Sequence, residues 1–252
     1  MIRVAATGDL HFGQDSAGTL RPHLDGLARD ADLLLIAGDL TKAGEPDEAA
    51  VLAAELRDLP VPAVAILGNH DHHADREDEV AAAVEDAGVA VLRERGTVVH
   101  VAGLRVGIAG AKGFGGGFPG ASASDFGEPE MKAFVRHTKN IAVLFEAALA
   151  ELEADLRIAL LHYAPVRETL EGEPLEIYPF LGSSLLGEAI DRAGADLALH
   201  GHAHRGSEHG RTPGGVEVRN VALSVIDAAY RVYRLDGSMN RRLTSGAAAT
   251  PG

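Results

Sequence analysis

Cysteine is absent from the 252 residues, which excludes structural disulfides, thiolate metal sites and a cysteine nucleophile. Any metal must be held by oxygen and nitrogen. Basic side chains are scarce: 23 of them against 37 acidic ones give a formal charge of −14. With no local basic cluster, that field repels a nucleic-acid backbone, so long nucleic acids are not expected as partners. Long apolar runs are also missing. None reaches the roughly 20 residues of a membrane-spanning helix, and the opening Ile2-Arg3-Val4-Ala5-Ala6 reads as a strand, not a basic targeting segment. The expectation is a cytoplasmic protein with no membrane contact. Nothing marks a linker, so residues 1–236 are expected to form one domain. From Gly237 the Gly, Ser, Ala and Thr content predicts a disordered tail, 237–252.

What the chain does hold is histidine, 12 in all, and their positions carry the information. The segment from Asp32 to His73 sets the frame. An apolar run, Leu33 to Ala37, ends in Gly38-Asp39; a second, Val61 to Leu67, ends in Gly68-Asn69-His70-Asp71. Continuous apolar runs of this length read as strands buried on both faces. Between them, Pro46 to Leu59 puts Ala49, Leu52, Ala53 and Leu56 on one face, as an amphipathic crossover helix does. In such β-α-β units the chemistry sits beyond the carboxyl ends of the strands, where Asp39 and the Asn69-His70-Asp71 cluster fall.

The remaining segments repeat the form. Ile2 to Thr7 is a strand running into Gly8-Asp9-Leu10-His11, where an extended backbone would project Asp9 and His11 to one side. Leu20 to Ala31 predicts a helix, as does Glu77 to Ala87, closed by Gly88. Val98 to Ala102 and Leu104 to Ala109 predict a hairpin. The Gly-rich stretch from Ala111 to Pro129 predicts a mobile surface loop near the site, because no helix opens on its glycines as a dinucleotide fingerprint requires. Glu130 to Asp155 is the longest helical pattern. Arg157 to Leu161 is a strand ending in His162-Tyr163, Ser183 to Ala193 a helix, and Asp196 to Leu199 a strand ending in His200-Gly201-His202-Ala203-His204. Val216 to Ala222 and Ala229 to Leu235 alternate as antiparallel strands do.

Collected, the polar strand ends are Asp9, His11, Asp39, Asn69, His70, His162, His202 and His204. A mixed N/O donor set of this kind suits Mn²⁺, Fe, Zn²⁺ or Co²⁺ better than Ca²⁺ or Cu(I). Asp39 is the candidate bridge between two neighbouring cations, because a carboxylate has two oxygens to divide. His200, inside a strand end, reads as a satisfied buried histidine, and His72 and His73 either as groups within reach of substrate or as a polar run opening a helix.

At these residues the chain resembles the calcineurin-like metallophosphoesterase family, through Asp9-Leu10-His11, Gly38-Asp39, Gly68-Asn69-His70-Asp71, His162 and Gly201-His202-Ala203-His204. The resemblance runs from about residue 2 to residue 226. It implies an α/β fold, a four-layer α-β-β-α sandwich with a dinuclear metal site at the strand carboxyl ends. It also implies that Asp9, His11 and His204 hold one metal, that Asn69, His162 and His202 hold the other, and that Asp39 bridges. The cofactors would be two metal ions, Mn²⁺ and/or Fe, or Zn²⁺. His70 matches the family's non-ligand histidine, the general acid, and Asp71 would orient its imidazole. The implied reaction is in-line attack of a metal-bridging hydroxide on a small phosphate ester.

The chain also departs from parts of that family. Ala43 stands where the protein phosphatases carry a phosphate-gripping arginine, and the candidate cations near the motifs are Lys42, Lys112 and Arg205. A dianionic monoester needs a cationic clamp more than a diester does, so a phosphodiester such as a cyclic nucleotide is the expected substrate. Tyr163, Phe114 and Phe118 offer an aromatic face for a nucleobase. The alternative is a non-catalytic scaffold or metal sensor of the same fold. A homo-oligomer remains open.

Overall fold

Alternation along the strands decides the layering. The computed structural model describes residues 1–236, and the tail expected to be disordered, 237–252, lies outside them. In β1 (Ile2–Thr7), the buried Ile2, Val4 and Ala6 turn one way and the buried Ala5 the other, as pleating requires. The elements that follow are α1 (Arg21–Leu24), α2 (Leu27–Asp30), β2 (Leu33–Ala37), α3 (Pro46–Leu56), β3 (Ala63–Ile66), α4 (Glu77–Glu85) and β4 (Ala90–Leu92). A hairpin of β5 (Arg95–Val101) and β6 (Leu104–Ala111) leads to the short β7 (Gly117–Phe118) and β8 (Ala121–Ser122) and to the long α5 (Pro129–Ala150). Then come β9 (Leu156–Leu161), α6 (Tyr178–Leu181), α7 (Ser184–Ala193), β10 (Leu197–His200), β11 (His209–Arg211), β12 (Glu217–Asn220), α8 (Leu223–Ile226) and β13 (Arg231–Leu235).

Two mixed sheets result, ordered β13-β1-β2-β3-β4 and β11-β12-β10-β9-β6-β5. Ile2, Val4, Leu33, Leu35, Val64 and Ile66 of the first meet Val106, Ile108, Ile158, Leu160, Leu197 and Leu199 of the second in one buried cluster. The opposite face of the first sheet, with Ala5, Leu34 and Ile36, is covered by Leu27, Leu52, Leu56 and Val80 of the helices. That of the second, with Ala109, Ala159 and Ala198, is covered by Phe145 and Leu149 of α5 and Leu186 and Ile190 of α7. The order is therefore helices, sheet, sheet, helices, the four layers expected. At about 25 cal/mol per Å² of apolar surface removed from water, the three interfaces so buried supply the main force for folding.

Several expectations need correction. The helix expected over Leu20 to Ala31 is split at Gly26 into α1 and α2. Glycine weakens a helix interior by about 1 kcal/mol. The Glu55 carboxylate, accepting from the N–H groups of Gly18, Leu20 and Arg21, ties the start of α1 to α3. β12 is parallel to β10 and antiparallel only to β11, while β13 runs antiparallel to β1 as expected. The Gly-rich stretch is a surface loop only in its second half, 119–129, which is mostly exposed; its first half, 111–118, packs into the fold. Gly116 N–H donates to the Pro179 carbonyl at 2.7 Å, Gly117 N–H to Gly182 at 2.9 Å, and Phe118 is buried among Ala164, Leu170, Tyr178 and Leu181. No helix among the described residues is long and apolar enough to cross a membrane.

Candidate metal centre

The strands deliver their polar ends through strained turns. Asp9, His11, Asp39 and His202 all have positive φ, at 57°, 44°, 49° and 70°. Non-glycine residues hold that region at a cost of about 1–3 kcal/mol each, and persist there where the surrounding structure over-determines them. Asp9 and His11 therefore do not continue β1 in the extended form expected. The turn they occupy runs beside the one after β2, joined by Asp9 N–H to Gly38 O, His11 N–H to Asp39 O and Phe12 N–H to Leu40 O, each 3.0 Å. Two glycines make room for the carboxylates: a Cβ at Gly68 would collide with the Asp39 side chain, and one at Gly201 with that of Asp9.

Asp39 is buried and its two oxygens face different neighbours. Oδ1 lies 3.3 Å from His162 Nε2 and accepts from His70 N–H at 2.9 Å, whereas Oδ2 lies 3.7 Å from His11 Nε2 and 4.0 Å from His70 Nε2. Asp9 accepts from the His202 N–H with both oxygens, at 2.9 and 3.0 Å, and its Oδ1 is 2.9 Å from His204 Nε2. His11 and His204 bring their Nε2 atoms within 3.3 Å of each other. Asn69 Oδ1 sits 2.9 Å from His162 Nε2. Two sets of potential ligand atoms emerge, Asp9, His11, Asp39 and His204, and Asp39, His162 and His202, the atoms of each set lying within 4.8 Å of one another. Asp39 belongs to both.

Hydrogen bonds on the far side of each ring set the tautomers. His162 Nδ1–H donates to the Ala37 carbonyl at 2.8 Å, which points Nε2 into the cluster. His70 Nδ1–H donates to the Lys42 carbonyl at 2.8 Å, leaving Nε2 on the side of Asp39. His200 is satisfied within the core, by Gly201 O at 2.7 Å and Thr169 Oγ1 at 2.8 Å, as expected.

Charge in the metal-free cluster is unevenly settled. Burial would lower the pKa of His162, but the Asp39 carboxylate beside it overrides this and lifts it to about 9. Burial alone would raise Asp39, yet the charge and hydrogen bond of His162 hold it well below the usual carboxylate range. Burial, with the charge of His162, pushes His202 down to about 3. A protonated His162 thus balances Asp39 where a cation would do so better. The donor set, all carboxylate, amide and imidazole with lone pairs converging, fits metal ions.

A pH dependence follows for the metal-free chain. His162, raised in the fold, contributes stability that is complete below its unfolded pKa near 6.5 and lost as pH climbs through about 9. His202, held neutral, costs stability as pH falls from 6.5 toward 3. The melting temperature of chelated protein should peak near pH 6.5 and fall by several degrees by pH 9.5, and saturating Mn²⁺ should remove the alkaline fall. A flat profile between pH 6.5 and 9.5 without metal would contradict this coupling.

Asp71 does something other than what was expected of it. No hydrogen bond or ion pair joins it to the His70 ring among the described residues. Its buried carboxylate accepts from the N–H groups of Leu40, Thr41 and Gly68, at 3.1, 2.8 and 2.8 Å, and from the Thr41 hydroxyl at 2.6 Å. It pins the turn bearing Asp39 to the turn bearing Asn69 and His70. Asp71→Ala should destabilise the fold by about 3 kcal/mol, since it leaves buried donors unpaired. Metal affinity should weaken with it, while the pH profile of any remaining activity keeps its shape. A displaced profile would restore a direct role toward His70. Thr41 and the Phe180 carbonyl, 3.3 Å from His202 Nε2, went unread in the sequence, because no periodicity or spacing marks them.

The aromatic face expected of Tyr163 and Phe118 is closed. Both are buried, and the Tyr163 ring lies 4.3 Å from that of His202.

Other proteins share this architecture. The structure is similar to that of phosphopantetheinyl hydrolase from Mycobacterium tuberculosis (TM-score 0.67, 16% identity, covering 92% of this chain and 96% of that one). It is also similar to TT1561 of Thermus thermophilus (TM-score 0.54, 20% identity, 88% and 90%). A putative 5'-nucleotidase from Staphylococcus aureus aligns at TM-score 0.54 and 14% identity, over 87% of this chain and 48% of that one. At such identities these likenesses establish the fold. Among curated proteins none matches the chain. The sequence itself matches the calcineurin-like phosphoesterase family over residues 2–206, from the first strand through the final histidine cluster. With that match spanning most of its length, the chain belongs to the calcineurin-like phosphoesterases, a family of metal-dependent phosphoric ester hydrolases.

Proposed function

We propose that the chain hydrolyses a small phosphodiester, such as a cyclic nucleotide, at a site for two metal ions. One would be held by Asp9, His11, His204 and Asp39, the other by Asn69, His162, His202 and Asp39. The observation that supports this most is the division of Asp39, Oδ1 toward His162 and Oδ2 toward His11. When bound, such a pair of cations supplies water ionised near neutral pH and neutralises charge on the phosphoryl oxygens. The donor set suits Mn²⁺ or Fe first and Zn²⁺ next.

The side chains have distinct tasks in this reading. Asp9, accepting from the His202 backbone, locks the last histidine cluster to the first strand end, so ligands far apart in the chain keep one geometry. His70 carries the proton for the leaving oxygen on Nε2. Giving it up leaves the neutral tautomer that the Lys42 carbonyl already selects, so the ring need not turn. A monoester dianion finds little to hold it: Lys42 and Arg205 are exposed, Ala43 has no charge, and Lys112 stands in a cavity it shares with Glu94, whose charge opposes a dianion. A non-catalytic scaffold of this fold has no use for a histidine so oriented, which favours the enzyme.

The test is hydrolysis of bis(p-nitrophenyl) phosphate against p-nitrophenyl phosphate with Mn²⁺ at neutral pH. The diester should show the higher kcat/KM. Preference for the monoester would reverse the ester class, and no turnover of either would favour the scaffold.

A further inference from the structure

We propose that a cavity of about 370 Å³ beside the metal centre receives the part of the substrate beyond the reacting phosphate, and that this part is a nucleobase. The proposal rests on the diester reading above and names its substrate class.

Position links the cavity to the chemistry. Leu67 and His72, which line it, flank the turn that carries Asn69 and His70. Lys112 lines it too, and its carbonyl accepts from the N–H groups of His162 and Tyr163 at 3.1 and 3.0 Å. Two walls are thus direct continuations of segments bearing proposed ligands. The volume is far more than a phosphate needs and lies within the ordinary range for sites that take small organic molecules.

The lining selects the chemistry. Leu67, Leu92 and Ile141 give apolar surface for a flat ring, and Lys112, Glu94 and Asn140 give polar groups at its edge. Arg93 is already occupied by Asp78 and the Glu77 carbonyl, and His72 lies 3.5 Å from Glu77. Lys112 and Glu94 are different. Neither side chain has a hydrogen-bond or ion-pair partner among the described residues, although each is partly buried. The Lys112 ammonium rests 5.1 Å from the centroid of Phe114 and 5.5 Å from that of Tyr163, which holds it in place without satisfying its donors.

Lys112 and Glu94 feel each other's charge across the cavity but share no hydrogen bond, so a donor and an acceptor remain to be satisfied in one apolar-floored cavity, and they call for a ligand with both. A second phosphate would gain Lys112 but be repelled by Glu94. A purely apolar group would leave both charges unpaired and further desolvated, which is costly. The edge of a heterocyclic base, with carbonyl and N–H groups on a flat ring, meets both demands and lays its faces on the leucines and isoleucine.

The experiment compares thymidine 5'-(p-nitrophenyl phosphate) with the same ester of deoxyribose lacking the base, with Mn²⁺, on wild type, Lys112→Met and Glu94→Gln. Wild type should favour the base-bearing ester by about tenfold or more in kcat/KM, chiefly through KM. Either substitution should bring that ratio close to one. Melting curves and bound Mn²⁺ check that each variant is folded and loaded, and Glu94→Gln, which keeps size and shape, serves if Lys112→Met is unstable. Equal wild-type rates on both esters, or variants that lose equally on both, would overturn the nucleobase assignment and leave the phosphodiesterase reading intact. No turnover of any ester by wild type would overturn that reading, and this inference with it.

Discussion

Asp39→Asn should lose both metal equivalents together and lower kcat/KM by about 10³-fold or more. The substitution keeps the shape of the side chain, and the amide oxygen still accepts from His70 N–H, so the turn survives. What is lost is the charge and one of the two donor oxygens. The carboxylate is the one group common to both sets of ligand atoms, with Oδ1 beside His162 and Oδ2 beside His11. Removing it unbalances each set, and several kcal/mol of transition-state charge stabilisation disappears with the cations. Loss of the negative charge also removes what holds His162 cationic in the metal-free chain, so the alkaline fall in stability should vanish in this variant. Metal analysis after dialysis reads the result. Two full equivalents retained would show that Asp39 is not shared.

His70→Ala should have the opposite profile. Both metals should stay bound, because His70 belongs to neither set of ligand atoms. Turnover should fall by about 10²–10⁴ for esters with alkyl leaving groups, which need a proton as the P–O bond breaks. Aryl esters, whose leaving oxygen is stable as an anion, should lose far less. Among the described residues no second proton donor is placed as His70 is: the His11 ring, 4.5 Å away centroid to centroid, lies in a proposed ligand set. Equal losses on both leaving-group types would make His70 a structural group.

The sequence disclosed the site more fully than the route by which the fold builds it. Buried strands announce themselves as apolar runs, and a Gly-Asp or Gly-Asn-His at the end of such a run stands out against them. So β2, β3, β9 and β10 and their terminal residues were legible. The resemblance then supplied the proposed partition of ligands, which no local pattern contains. What stayed hidden depends on contacts far along the chain. Gly26 breaks a helix whose apolar spacing looked continuous. Asp71 seemed tied to its neighbour His70 by adjacency, yet its partners are Leu40 and Thr41, some 30 positions back. The glycines from Gly113 to Gly117 looked like a loop because composition cannot report that another backbone, at Pro179 and Gly182, lies against them. The parallel pairing of β12 with β10 is likewise invisible to alternation, which sets faces but not neighbours.

A Mn²⁺ titration decides whether two metals, shared through Asp39, drive hydrolysis. Chelated, dialysed protein is taken up in steps of Mn²⁺, and bound metal and bis(p-nitrophenyl) phosphate hydrolysis are measured on the same samples. Two equivalents should bind per chain, with hydrolysis appearing as the second site fills. Full activity at one equivalent, or two equivalents bound with no hydrolysis of any phosphate ester, would contradict this.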